Sequence, residues 1–261
     1  MPDGHTLVGT GQMALKRVFI WPDTHCPWYD KKAVSCALKA LRAFKPDHLV
    51  LTGDFLDVYS LSRHDKSPSK VMGFAKEIAV AKQLLERIDK AAGSAKRHFI
   101  MGNHENRVYK YLMSKAPEIY DMIDVPGLLD LERLGFADFD YLDHLRIGNL
   151  ILAHDIGHAG KTAHSQSLSM AGMSIAIGHT HRMAMVIERK LQTGELITGA
   201  TMGWLGDPDA MKDYMPASKV KRFAITGFGT AYIMRDGTPI LVPVPIVNGS
   251  CVLEGKLING R

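Results

Sequence analysis

The sequence predicts an α/β protein in which β-sheets pack face to face with helices on their outer sides. Three observations lead there: a βαβαβ alternation in the first hundred residues, a change to hairpin-like apolar runs after Tyr141, and strand ends that carry Asp, Asn or His. Alternating strands and helices specify a parallel sheet with right-handed crossovers, and polar chemistry then gathers beyond the carboxyl ends of its strands.

Arg17 to Trp21 is a short apolar run that stops at Pro22, and is a strand. Lys31 to Phe44 follows as a helix, with Ala33, Val34, Ala37, Leu38, Leu41 and Phe44 on one face. His48 to Thr52 is again strand-like. Val71 to Ile88 repeats the helical period through Phe74, Ala75, Ile78, Ala81, Leu85 and Ile88, and His98 to Met101 is the third strand. Beyond Tyr141, two apolar runs meet at Gly148 and Asn149, a dipeptide suited to a tight hairpin, and the second reaches Ala153. Ser174 to Ile177 and Met183 to Ile187 continue as strands, and from Phe223 onward apolar runs alternate with Gly and Asp-Gly turns. Neither a repeat nor a Gly/Ser linker divides the chain. The expectation is one domain over 1–261, with a motif core at 17–187 and strands of 220–258 completing the second sheet.

Hydrophobic residues at 46% and charged residues at 23% exclude a disordered or fibrous chain. The longest uncharged stretch, Thr238 to Leu253, contains Pro239, Pro243 and Pro245, so it is no bilayer-spanning helix, and no membrane partner is expected. The N-terminus lacks the basic start and apolar core of a secretory signal, and Cys26, Cys36 and Cys251 form no zinc-type pair. A cytoplasmic protein is expected. The net charge of +5 is a mild bias toward an anionic substrate.

The apolar runs end as VFIWPDTH, HLVLTGDFLD, HFIMGNHE, LILAHD and SIAIGHTH. Alone, each Asp or His would be an ordinary turn residue or helix cap. Sheet geometry gathers strand ends, so Asp23, His25, Asp54, Asn103, His154, His179 and His181 are expected at one site. Imidazole nitrogen mixed with carboxylate and amide oxygen suits Mn, Fe, Zn or Co better than an oxygen-only magnesium site. These residues outnumber the ligands of a single zinc ion, whereas two ions ~3.5–4 Å apart would use them, with Asp54 as the bridge.

In order and composition these motifs resemble those of the calcineurin-like metallophosphoesterase superfamily. They stand as Asp23-Thr24-His25, Gly53-Asp54-Phe55-Leu56-Asp57, Gly102-Asn103-His104-Glu105, His154, and Gly178-His179-Thr180-His181. The resemblance implies a four-layer αββα sandwich. It also implies two divalent ions, Mn first and Fe, Zn, Co or Ni as alternatives, one on Asp23, His25, Asp54 and His181 and the other on Asp54, Asn103, His154 and His179. It makes His104 the catalytic histidine that contacts the phosphate and protonates the leaving group, after in-line attack by a hydroxide between the metals. Asp57 is a candidate to orient His104 through its far ring nitrogen. Asp155 stands where the family often has Gly. Glu105 reads as a residue favouring a helix N-terminus.

Arg63, His64, Lys66, Arg107, Lys110 and Lys115 fall near the expected rim, with Arg63 and Arg107 as candidate substrate-binding residues. The second motif continues as Val58-Tyr59, where the protein phosphatases of the superfamily carry Arg-Gly. The expected function is a phosphodiesterase acting on a nucleotide or nucleic acid. A phosphomonoesterase for a small metabolite or phosphoprotein is the alternative, and a noncatalytic scaffold the third possibility.

Overall fold

Period-two burial along the first strand sets out the layers of the protein. A computed structural model describes residues 15–63, 66, 71–210 and 223–260. In β1 (Lys16–Trp21), Val18 and Ile20 face one side and Phe19 and Trp21 the other, and all four are buried. The strand is therefore covered on both faces. Helix α1 (Lys31–Phe44) starts at Asp30, whose carboxylate accepts from Lys32 N and Ala33 N at 2.8 and 3.0 Å, a cap of about 1 kcal/mol. Strand β2 (His48–Leu51) pairs parallel with β1. Helix α2 (Phe74–Ala92) then leads to β3 (Lys96–Ile100), which pairs parallel with β2. The expected βαβαβ unit is present. Helix α3 (Asn103–Lys115) and the one-turn α4 (Val125–Leu128) connect β3 to β4 (Phe136–Phe139), which extends the parallel sheet. Phe19, Leu49, Leu51 and Phe99 pack outward against Val34, Leu41, Ile78 and Leu85 of α1 and α2.

The second sheet begins with β5 (His144–Ile147) and β6 (Leu150–Ala153), joined through the expected turn at Gly148 and Asn149. Helix α5 (Ala163–Ala171) crosses to β7 (Ser174–Ile177), and β8 (Met183–Arg189) and β9 (Leu196–Met202) complete the order β5-β6-β7-β9-β8. The sheet is mixed, because β6–β7 and β7–β9 are parallel pairs. Val18, Ile20, Val50 and Ile100 of the first sheet meet Leu150, Leu152, Ala176 and Met202 of the second. On the far side Leu168 of α5 lies against Ile175, Ile177 and Ile197. The layers run helix, sheet, sheet, helix, as the four-layer sandwich requires.

The tail corrects the expectation that strands of 220–258 complete the second sheet. Strand β10 (Gly227–Ile233) pairs antiparallel with β1 and β11 (Pro239–Pro245) with β10, so the first sheet runs β11-β10-β1-β2-β3-β4. The physical reason lies in β1, whose Val18 to Trp21 are buried and which would otherwise present an unpaired edge. Phe228 of β10 stacks on Phe19 with ring centroids 4.6 Å apart, fixing that partnership. Pro239, Pro243 and Pro245 fall on β11, the edge strand, where missing N–H donors are tolerated. The last two strands, β12 (Ser250–Leu253) and β13 (Lys256–Asn259), form a separate hairpin against α1. No helix among the described residues is long and apolar enough to cross a membrane.

Candidate metal centre

Strands β1, β2 and β3 run parallel in one sheet and β6 and β7 in the other, and their carboxyl ends meet at one edge of the sandwich. All seven sequence-predicted ligands lie there. Asp23, His25, Asp54 and His154 are buried to 2% exposure or less, while Asn103, His179 and His181 are partly open. One group of donor atoms comes from Asp23, His25, Asp54 and His181, and a second from Asp54, His154 and His179, so Asp54 belongs to both.

The contacts inside these groups suit a cation. His25 Nε2 and His181 Nε2 face each other at 2.9 Å. Asn103 Oδ1 lies 2.9 Å from His154 Nε2 and 2.7 Å from His179 Nδ1. His154 Nδ1 donates to Thr52 O at 2.8 Å, so in the neutral ring Nε2 keeps its lone pair and faces Asn103 Oδ1 acceptor to acceptor. Asp23 Oδ2 is buried and makes no hydrogen bond, although His181 Nε2 is 3.3 Å away. A divalent ion gives such lone pairs a shared partner, and the N and O donors fit a first-row transition metal. Burial opposes charge on Asp54, but the His104, His154 and His25 imidazoles hold its carboxyl well below the usual carboxylate range. Asp23 is also lowered: burial raises it, and His181 and His154 outweigh that effect. Burial pushes His25 and His179 down, which favours the neutral form a metal needs.

The backbone is bent to bring these atoms together. His25, Asp54, His179 and His181 all have positive φ, between 46° and 64°, a region that side-chain-bearing residues seldom enter and that costs of order 1 kcal/mol each. The motif glycines allow the close approach: a Cβ on Gly102 would lie 2.2 Å from Asp54 Oδ1, and one on Gly178 2.5 Å from Asp23 Oδ1. Thr24 N and His25 N both donate to Asp54 O at 2.9 Å, locking the first motif to the second.

His104 sits beside Asp54, with Nε2 3.7 Å from Asp54 Oδ2. Its Nδ1 donates to the backbone carbonyl of Asp57 at 2.7 Å, and the Asp57 carboxylate lies 3.5 Å from the same nitrogen and 3.3 Å from His25 Nδ1. Asp57 thus orients two rings, through its carbonyl as well as its carboxylate. Burial works against a charged His104, yet Asp54 and the contact with Asp57 outweigh it and hold the ring up at about 9. Arg107 Nη1 donates to Asp57 O and Val58 O at 3.0 and 3.3 Å, which gives this predicted substrate residue a loop-holding task as well. Asp155 accepts from Tyr141 Oη and Gly157 N, as a turn residue does.

Three residues of this site were not singled out as parts of it by the sequence. Trp204 stacks on the His181 ring, with centroids 4.6 Å apart and planes within 16°. Glu105 is buried and accepts from Asp54 N, Leu56 N and Gly102 N at 3.0, 2.7 and 2.7 Å, a cross-loop task beyond the helix start expected of it. Glu77 of α2 takes Asp57 N and Val58 N on one oxygen, Oε1. An acid on the apolar stripe of α2, in line with Ala81, Leu84 and Ile88, was its readable signal.

Burial raises Glu77 from 4.5 to about 7, with the Asp57 charge adding to it, so folding takes up a proton between those values. Stability from that proton is complete below the unfolded value and is lost as pH rises through about 7. Glu77→Gln keeps a carbonyl oxygen for both N–H groups and removes the titration. Thermal melts from about pH 5 to about pH 8 are expected to show the wild type losing roughly 3 kcal/mol relative to the variant. Parallel pH profiles would contradict this assignment.

The family model of the calcineurin-like phosphoesterases, Metallophos, matches residues 16–221. The chain belongs to this family. As a calcineurin-like phosphoesterase it is a metal-dependent hydrolase of phosphoesters, and every strand-end motif lies inside the matched region. Gene 54 protein of Mycobacterium phage D29 is 27% identical over 195 residues, covering 65% of this chain and 71% of the phage protein. Gene 54 protein of Mycobacterium phage L5 matches with the same identity and coverage. Vacuolar protein sorting 29 of Cryptosporidium parvum is similar in structure with a TM-score of 0.49 at 14% identity, over 94% of this chain and 98% of that one.

Proposed function

We propose that this phosphoesterase is a phosphodiesterase acting on a nucleotide or nucleic acid. In this reading Asp23, His25, Asp54 and His181 hold one divalent ion and Asp54, Asn103, His154 and His179 the other, with manganese first and iron, zinc, cobalt or nickel as alternatives. The observation that carries it is the pair of donor groups sharing Asp54, placed beside a cation-lined cavity of about 710 Å³ that reaches Asn103. When bound, the ions supply Lewis-acid polarisation of the phosphoryl oxygens and acidify water for in-line attack. His104, anchored at Nδ1 by Asp57 O, presents Nε2 to the reacting ester. A proton carried on that nitrogen goes to the leaving oxygen, so an alkoxide need not be expelled. Arg63 and Arg107 line the cavity, and in this reading they bind the non-bridging phosphate oxygens. His64 lies outside the described residues.

The whole chain acts as one domain in this reading, supported by the tail strands that complete the first sheet. A reducing cytoplasm suits its three free, buried cysteines. Turnover of bis-nitrophenyl phosphate and mono-nitrophenyl phosphate by manganese-loaded protein tests the substrate class. The diester is expected to be the better substrate, and a strong preference for the monoester would sink the proposal in favour of a phosphomonoesterase.

A further inference from the structure

The cavity beside Asn103 has a direction as well as a charge. Its α3 wall is formed by Asn103, Arg107, Lys110, Tyr111, Ser114 and Lys115, at helical spacings of four, three, one, three and one. They make one stripe along the helix, so the wall is ~18 Å long at 1.5 Å per residue. The facing wall contributes Arg63 and Lys66, which gives five cationic side chains and, among the described lining residues, no carboxylate. The one acid of α3, Glu105, is buried and turned toward the backbone of Asp54, Leu56 and Gly102. The described lining of the groove is therefore cationic along its length. Lys110 leans toward the Tyr141 ring, 5.7 Å from its centroid, and Tyr141 in turn lies beside His154, so the positive stripe runs up to the metal-binding edge.

A lone nucleotide would concentrate its negative charge at one end of such a groove and leave the rest unmatched. A chain of phosphates would not. At the ~3.4 Å axial spacing of phosphates along one stacked strand, ~18 Å spans about five of them. Tyr111, 39% exposed, adds an aromatic face of the kind on which unpaired bases stack. A duplex would offer two phosphate rows and no free base faces to a single cationic stripe. Resting on the phosphodiesterase reading above, we propose that this groove binds single-stranded polynucleotide and holds the phosphates next to the scissile ester.

The test uses the manganese-loaded protein with oligothymidylates of two to ten residues, a duplex of matched length, and bis-nitrophenyl phosphate. The expected result is a kcat/KM that climbs at least about ten-fold up to roughly five nucleotides and then levels, falling with salt at a slope of ~0.7 per phosphate engaged. Lys110→Glu with Lys115→Glu is expected to flatten the length dependence and to reduce the salt slope by ~1.4. A melting curve checks that this variant is folded, and Lys115→Gln, with an expected slope change of ~0.7, serves if it is not. Hydrolysis of bis-nitrophenyl phosphate with no dependence on oligonucleotide length, or a preference for the duplex, overturns the groove and leaves the phosphodiesterase reading standing. Failure to hydrolyse any diester overturns that reading and the groove with it.

Discussion

Asp54→Asn is expected to lower kcat/KM on bis-nitrophenyl phosphate by about a thousand-fold or more, and to reduce the manganese bound after dialysis from two ions per chain to one or none. Asp54 is the residue common to both donor groups, so its charge serves both positions. The amide keeps the shape and the His104 N–H contact, 2.8 Å to Oδ1 in the wild type, but brings no negative charge and turns an –NH2 toward one set of ligands. A Lewis acid contributes several kcal/mol of transition-state stabilisation, and each factor of ten in rate is about 1.4 kcal/mol, which sets the expected scale. Metal analysis of the dialysed protein separates lost ions from lost chemistry. Two retained ions with near-normal turnover would remove Asp54 from the bridging position.

The second large effect is on stability. Glu105→Ala is expected to cost about 3–9 kcal/mol, because three buried N–H groups lose their acceptor together and each orphaned donor costs about 1–3 kcal/mol. For a chain of this size, at about 2 °C per kcal/mol, that lowers the melting temperature by roughly 6–18 °C. The loss also reaches the site, since the carboxylate ties Asp54 N to Gly102 N, and these two segments carry the shared carboxylate and Asn103. Glu105→Gln keeps one acceptor oxygen and falls between the two. A melting shift of only a degree or two for the alanine variant would show that water replaces the carboxylate without cost.

The gathering of the seven candidate ligands at one edge was legible because each follows an apolar run, and parallel strands must end on the same side. Helix α1 was read to the residue from its strong apolar stripe, and in the structure Asp30 caps its start. What escaped was non-local or chemically quiet. Glu77 and Glu105 look like ordinary helix acids until the loops they grip are in place, and a buried carboxylate leaves no periodic trace. Helix α5 buries only Ala163, Ser167 and Leu168, too few for a readable stripe, and β9 carries Gly199 and Ala200 where larger apolar residues would have announced a strand. The tail was assigned to the wrong sheet because both sheets offered an edge. Ring stacking of Phe228 on Phe19, more than two hundred residues apart, decides between them, and no local pattern encodes it.

That pairing separates what is recognisable in this chain from what can stand alone. The family match stops at residue 221, whereas β10 starts at Gly227. A gene trimmed to the matched region would keep every predicted ligand and His104, yet it would strip β1 of a neighbour and uncover Phe19 next to the strand end that carries Asp23. Bare strand edges invite pairing with other chains, so such a fragment would aggregate while retaining all of its motifs. For anyone dividing this protein for expression, or grafting its chemistry onto another scaffold, the tail belongs with the catalytic part although the family match does not include it.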